Sequence, residues 1–266
     1  MKRKYIALLL ALSLVLSLAL CACGGGGGEP EPDTPPAQAT DVPEGPAPDA
    51  GLPEVESQEY HHEYTAEDGT VLLVCDYTLP FFPDAAPDSA GAIISAYYAE
   101  LMDELIAEGP AYLEWAQTEY NEAGVNYPYA DEDSYEETFR DDACISFLRQ
   151  HYSYAGGAHP STVLFAETFR VADGSRVSAN DLFSVEQGTW RPAVIQAIRD
   201  QMAEQGWENY YEEYTTEAID AVFQPDQFYL TEDGIVWFFQ AYDVAPYAAG
   251  IPTFTIPYDQ LGEMLA

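Results

Sequence analysis

ACISFLRQHYSYAGGAHPSTVLFAETFRV, residues 143–171, reads as two strands around one turn. Ala143–Tyr154 and Ser161–Val171 are rich in β-branched and aromatic residues, the composition of a pleated, half-buried surface. Between them stand Ala155, Gly156, Gly157, Ala158, His159 and Pro160. Two glycines admit backbone angles closed to other residues, and a proline stops the second strand from starting early. A connection this short joins antiparallel strands, because a parallel pair needs a crossover of a dozen or more residues. Asp173-Gly174 then marks a second tight turn.

Working outward from this hairpin, helices and strands mix. Thr70–Phe82 (TVLLVCDYTLPFF) reads as a strand, and Asp88-Ser89 can cap a helix whose apolar face carries Ile94, Tyr97, Leu101 and Leu105. Gly109-Pro110 ends or kinks it, Ala111–Glu122 continues as a further helix, and Asn126–Asp133 reads as a polar, tyrosine-bearing loop. Downstream, Arg191–Gln205 has Val194, Ile195, Ile198 and Met202 on one helical face, and Thr215–Phe223 is a short helix. Gln227–Thr231 and Ile235–Tyr242 form a hairpin around Glu232-Asp233-Gly234; Thr253–Pro257 is a strand and Tyr258–Leu265 a terminal helix. No βαβ rhythm is evident, so the expected class is α+β: an antiparallel sheet with packed helices, in two adjoining subdomains, residues 60–171 and 172–266.

The start of the chain is of another kind. Lys2, Arg3 and Lys4 precede an apolar run from Tyr5 to Leu20, interrupted only by Ser13 and Ser17, the layout of a secretory leader. Leu20-Cys21-Ala22-Cys23 resembles the bacterial lipobox, with residues 1–22 as signal peptide and Cys23 as the lipidated first residue of the mature protein. Cys21 fits less well, because Leu20 would occupy a cleavage position that wants a small residue. Residues 23–59 read as a disordered Gly/Pro/acidic linker, with too little apolar content to offset its ordering entropy. The expected location is the extracytoplasmic face of the cell membrane, held by a lipid anchor.

Charge narrows the partners. Past the leader, 46 acidic residues stand against six arginines and no lysine. Such a surface repels nucleic acid and attracts cationic proteins, besides keeping the chain dispersed. Cys75 and Cys144, both in strand-like runs, can pair as a disulfide in an oxidising compartment or remain buried thiols; sequence alone leaves both open.

The search for catalysis finds no G-x-S-x-G elbow, H-E-x-x-H, phosphate-binding glycine loop or C-x-x-C. His61-His62-Glu63 reads as an exposed polar run. Asp131, Asp133 and Glu137 lack the central glycine of an EF-hand loop. No catalytic residue, metal site or cofactor is expected. The candidate binding residues are Tyr154, Gly156, Gly157 and His159, with Tyr247 from a second bend, Tyr242–Pro252.

Taken in order, Tyr152–Pro160, Asp173-Gly174, Asp181-Leu182-Phe183, Gly234–Phe239, Tyr242–Gly250 and Ile256-Pro257-Tyr258 resemble the extracellular region of RsiV-like anti-sigma factors. They also resemble the non-catalytic region of PdaC-like peptidoglycan deacetylases. Both families carry paired domains of unknown function. The resemblance covers roughly residues 59–266 and implies an α+β fold, a role near peptidoglycan, and binding of lysozyme as in RsiV-like proteins. Neither sigma-factor signalling nor deacetylation carries over, because only four residues precede the apolar run and no deacetylase domain is present. The expected function is a non-enzymatic surface lipoprotein that binds a cationic protein such as a lysozyme-like muramidase, or the cell wall. The alternatives are an envelope hydrolase without a recognisable motif and a structural accessory lipoprotein.

Overall fold

The computed structural model describes residues 51–124 and 127–266. The stretch read as a leader, Cys23 and the stretch read as a linker, as far as residue 50, lie outside the described residues. The elements are β1 (Glu56–Thr65), β2 (Val71–Phe81), α1 (Ala90–Glu108), α2 (Leu113–Ala123), β3 (Tyr129–Arg140), β4 (Cys144–Tyr154), β5 (Ser161–Arg170), α3 (Gln187–Gln205), α4 (Thr216–Val222), β6 (Phe228–Leu230), β7 (Gly234–Phe238), β8 (Thr253–Pro257) and α5 (Tyr258–Leu261). They build a five-stranded sheet ordered β1-β2-β3-β4-β5 and a three-stranded sheet ordered β6-β7-β8. The class is α+β.

The 143–171 hairpin forms as the sequence indicates, with β4 antiparallel to β5 from Cys144↔Arg170 to Ser153↔Ser161. One pairing differs from expectation. β2 and β3 run parallel, Leu73↔Tyr129 to Tyr77↔Asp133, because the chain crosses from one to the other through α1 and α2. That crossover is a βαβ unit hidden by the polarity of β3.

Residues 126–133 were expected as a loop, yet Tyr129 opens β3. Its inward positions are Tyr129, Asp131 and Asp133, all buried, so the alternation that marks a strand is written partly in carboxylates. The ordered region also begins before Tyr60. β1 starts at Glu56, Leu52 and Val55 pack against the first core, and Arg140 Nη1 donates to the carbonyls of Leu52 (3.3 Å) and Pro53 (3.0 Å).

The first core lies between one face of the large sheet and α1 with α2. Ser89 caps α1, its hydroxyl accepting from Ala92 N–H. The buried stripe is Ile94, Tyr98 and Met102, one position round from the expected Tyr97, Leu101 and Leu105 below Ile94. Leu101 and Leu105 remain half-buried at its margin, and full burial of an apolar side chain of this size contributes about 1.5–3 kcal/mol.

The second core packs α3 and α4 against the small sheet. Val194, Ile195, Ile198 and Met202 point inward as expected, and Trp190 joins them. α3 starts at Gln187, a turn before Arg191. Pro192, which lacks an N–H, therefore lies inside the helix rather than next to its start. The helix is drawn back by Trp190, which is fully buried, stacks on Phe183 at 4.6 Å and donates its indole N–H to Asn180. A buried polar seam ties the two sheets: Ser146 and Thr168 hydroxyls lie 2.8 Å apart, and Leu230 N–H of β6 donates to Ser146.

The disulfide alternative is corrected. Cys75 is paired across Asp131 with Ser153, and Cys144 lies nine residues from Ser153 along β4, about 30 Å away at strand rise. A disulfide needs Cα atoms within about 7 Å. Both cysteines are free, Cys75 buried and Cys144 half-buried.

Candidate functional site

Side chains alternate across β2, β3 and β4, so one face of these strands enters the first core while the other stays open near the 155–160 turn. On the open face is a groove of about 490 Å³. It is lined by Val74, Ala130, Glu132 and Tyr152 of the strands, by Tyr127, Tyr129 and Tyr154, and by Gly157, Ala158, His159 and Pro160 of the turn. A hollow of about 390 Å³ shares Tyr127, Tyr129 and Tyr154 with it and adds Glu119. The lining is aromatic and acidic, with Asp76 beside Glu132. Burial, then the carboxylates of Asp76 and Asp131, push the Glu132 carboxyl up. The site therefore favours an incoming positive charge.

The turn is built for this shape. Gly156 and Gly157 have φ of +78° and +95°, where side chains are strained. A Cβ on Gly156 would also sit 2.7 Å from the Tyr129 hydroxyl. That hydroxyl donates to Glu119 Oε2 at 2.8 Å, and burial, then that bond, raises Tyr129 to about 12. His159 packs face to face on Tyr247, centroids 3.9 Å apart. Its Nδ1 lies 2.8 Å from the Pro160 carbonyl and its Nε2 3.1 Å from the Tyr242 hydroxyl. A neutral ring protonated on Nδ1 satisfies both, donating to the carbonyl and accepting from the tyrosine. Tyr242 reaches there from a left-handed conformation, φ +72°, because β7 ends at Phe238 rather than continuing to Tyr242 as the sequence suggests.

Thus Tyr154, Gly157 and His159 line the groove, Gly156 backs it, and Tyr247 braces His159. Sequence reasoning missed Tyr127, Glu132 and Tyr152. On the opposite face of the same strands it missed a buried ionic network. Arg149 Nη1 meets Asp133 Oδ1 at 2.6 Å and its Nε lies 3.4 Å from Glu167. His151 bridges Asp133 (2.8 Å) and Asp131 (3.2 Å). Tyr77 donates to Asp131 and Tyr98 to Glu167. The side-chain bonds to Asp131 and Asp133 raise His151 to about 9. The imidazole is charged at neutral pH with both nitrogens donating, so it holds strands together rather than accepting protons. The signal was present in the sequence: Asp131 and Asp133, like Arg149 and His151, are spaced two apart in strands.

A larger hollow, about 670 Å³, lies between α3 and α4. Its one base, Arg191, is already occupied by Asp220 Oδ1 at 2.6 Å and by the Asp220 and Phe223 carbonyls. Among the described residues no group of three or more His, Cys, Asp or Glu is placed to hold a metal ion, and no helix is long and apolar enough to cross a membrane.

No curated protein matches the chain significantly. Two solved structures share the fold. A DUF3298 family member from Bacteroides fragilis is 18% identical, covering 81% of this chain and 94% of its own, with a TM-score of 0.59. A DUF3298 family protein from Pseudomonas aeruginosa is 17% identical, covering 82% and 96%, with a TM-score of 0.55. Residues 66–162 match the family model described as Deacetylase PdaC, and residues 180–259 match Protein of unknown function (DUF3298). The chain is therefore similar to both, in the order that its turn and strand motifs indicate.

Proposed function

We propose that this chain is a non-enzymatic binding module of the bacterial cell envelope, lipid-anchored through Cys23, whose open groove receives a cationic protein. A lysozyme-like muramidase is the partner class that the sequence resemblance suggests. The observation that carries the reading is the groove itself: tyrosine rings around Glu132 on a body with a large excess of acid. Aromatic side chains supply rigid contact area and most interface energy, and acidic neighbours steer a basic partner towards them. The word deacetylase belongs to the matched model, and no deacetylase chemistry is assigned to this chain.

Calorimetry of the full chain with lysozyme, and with an unrelated protein of matched basic charge, across a salt series tests this. Lysozyme binding is expected to persist near physiological salt, where screening acts within about 8 Å, and Glu132→Gln is expected to weaken it several-fold. Equal binding of both proteins, lost together at moderate salt, overturns the reading and leaves the charge as a solubility feature. Insoluble peptidoglycan is the parallel arm, because exposed tyrosine rings also suit stacking on sugars.

A further inference from the structure

The two outer strands of the large sheet are treated very differently. The outward side of β5 is closed from Leu164 to Arg170. Gln240 uses its amide as a substitute strand, accepting from Leu164 N–H at 3.1 Å and donating to Leu164 C=O at 2.7 Å. Arg176 donates to Ala166 C=O at 3.0 Å, Val177 N–H to Thr168 C=O, and Arg170 N–H to Ser175 C=O. β1, ten residues long, has β2 on one side and no described strand on the other. Among the described residues nothing bonds to the backbone of residues 57–65 beyond the β2 ladder. β1 has no proline and no lysine, and its one irregularity is at its end, Tyr64/Thr65; its charges, Glu56, Glu59 and Glu63, are all acidic and so discourage pairing with another acidic strand but not with a basic one.

We infer that β1 is a docking edge for an extended, basic segment of a partner, which adds as a sixth strand. The register with β2 sets the side-chain rows. Glu59, His61 and Glu63 share the groove's face, and Tyr60, His62 and Tyr64 the other. His61 Nδ1 lies 3.4 Å from Asp76, which sets a further carboxylate beside the edge on that face. Backbone bonds give a strand-adding segment its affinity and alternate side chains its specificity. The matching segment carries Lys or Arg at every second residue, opposite Glu59 and Glu63, and apolar residues between. A second copy of this chain fits poorly, since each body carries a large excess of acid. So does the chain's own Gly/Pro/acidic stretch. This inference concerns a surface separate from the groove and stands or falls without it.

The test is amide hydrogen exchange on the full chain with an eight-residue peptide of alternating Lys and Val. The controls are the same composition interrupted by two central prolines, and alternating Glu and Val. Amides within residues 57–64 that are not bonded to β2 should exchange at least ten-fold more slowly with the Lys-Val peptide alone. Binding should fall at least five-fold in the Glu59→Gln/Glu63→Gln double variant. The inference is overturned if the proline-interrupted peptide binds equally, if binding leaves β1 exchange unchanged, if no peptide binds, or if these amides are already protected in the free chain.

Discussion

Arg149 and Asp133 meet at 2.6 Å across neighbouring strands, their side chains only 7% and 0% exposed. A charge pair withdrawn from water this far depends on both partners and on the bonds around them. Asp133→Ala leaves Arg149 buried with Glu167 alone and strips one acceptor from His151. The expected loss is about 3–5 kcal/mol in chemical denaturation. Replacing Arg149, His151, Asp131, Asp133 and Glu167 together by apolar residues of similar volume, so that no buried charge is left alone, should cost less than that single change. A single-site loss under about 1 kcal/mol would show the pair to be incidental.

The same network makes stability depend on alkaline pH. His151 is raised from 6.5 to about 9 in the folded state, so the folded chain binds the proton more tightly than the unfolded one. The contribution is fully present below about pH 6.5 and is lost as pH rises through about 9, on the order of 3 kcal/mol in all. Denaturation midpoints measured from pH 6 to 10 should fall in the wild type, and His151→Gln should remove that part of the slope. Identical profiles would refute the assignment.

Gly109, between α1 and α2, has no room for a side chain. A Cβ there would overlap the Tyr77 hydroxyl and approach Cys75 Sγ at 2.9 Å and Asp131 Oδ2 at 3.0 Å. Gly109→Ala should cost about 1–3 kcal/mol through overpacking, read as a lowered thermal midpoint. Tyr77→Phe in the same chain should recover part of it by removing the obstructing oxygen.

At the 155–160 turn the two glycines should not be equivalent. Gly156 combines positive φ with the Tyr129 hydroxyl in its path, whereas Gly157 has positive φ and nothing within 4 Å of a Cβ. Gly156→Ala should therefore destabilise more than Gly157→Ala, which should cost about 1 kcal/mol from backbone strain alone. Equal effects on the unfolding midpoint would mean that the turn relaxes freely.

Cys75 and Cys144 should both be recovered as thiols when the purified chain is unfolded under non-reducing conditions and alkylated. A cross-linked peptide joining them would contradict the register of β2, β3 and β4.

Much of the fold was legible because most inward positions are apolar. Strand β2, the β4–β5 hairpin and the α3 face all follow from alternation or helical spacing. The failures share one physical cause. β1 and β3 are strands built largely of polar side chains: in β1 because that edge faces water, in β3 because Asp131 and Asp133 are neutralised by Arg149 and His151 from the next strand. Periodicity in hydrophobicity cannot register a core position filled by an ion pair. The groove was half legible. Tyr154, Gly157 and His159 sit in a conspicuous turn, but Glu132 comes beside them only through the β3–β4 pairing, Glu132↔Tyr152 and Ala130↔Tyr154.

The closure of β5 by Gln240 and Arg176 has a bearing on solubility. Runaway fibre growth by edge-to-edge pairing needs a molecule with two adhesive sides, so that each addition exposes another. The large sheet of this protein has one. Any two molecules that met through β1 would spend both sticky borders on each other and stop there. Loosening the Gln240 clamp, rather than altering the tyrosine-lined groove, is the change that would turn this sheet into a template for polymers.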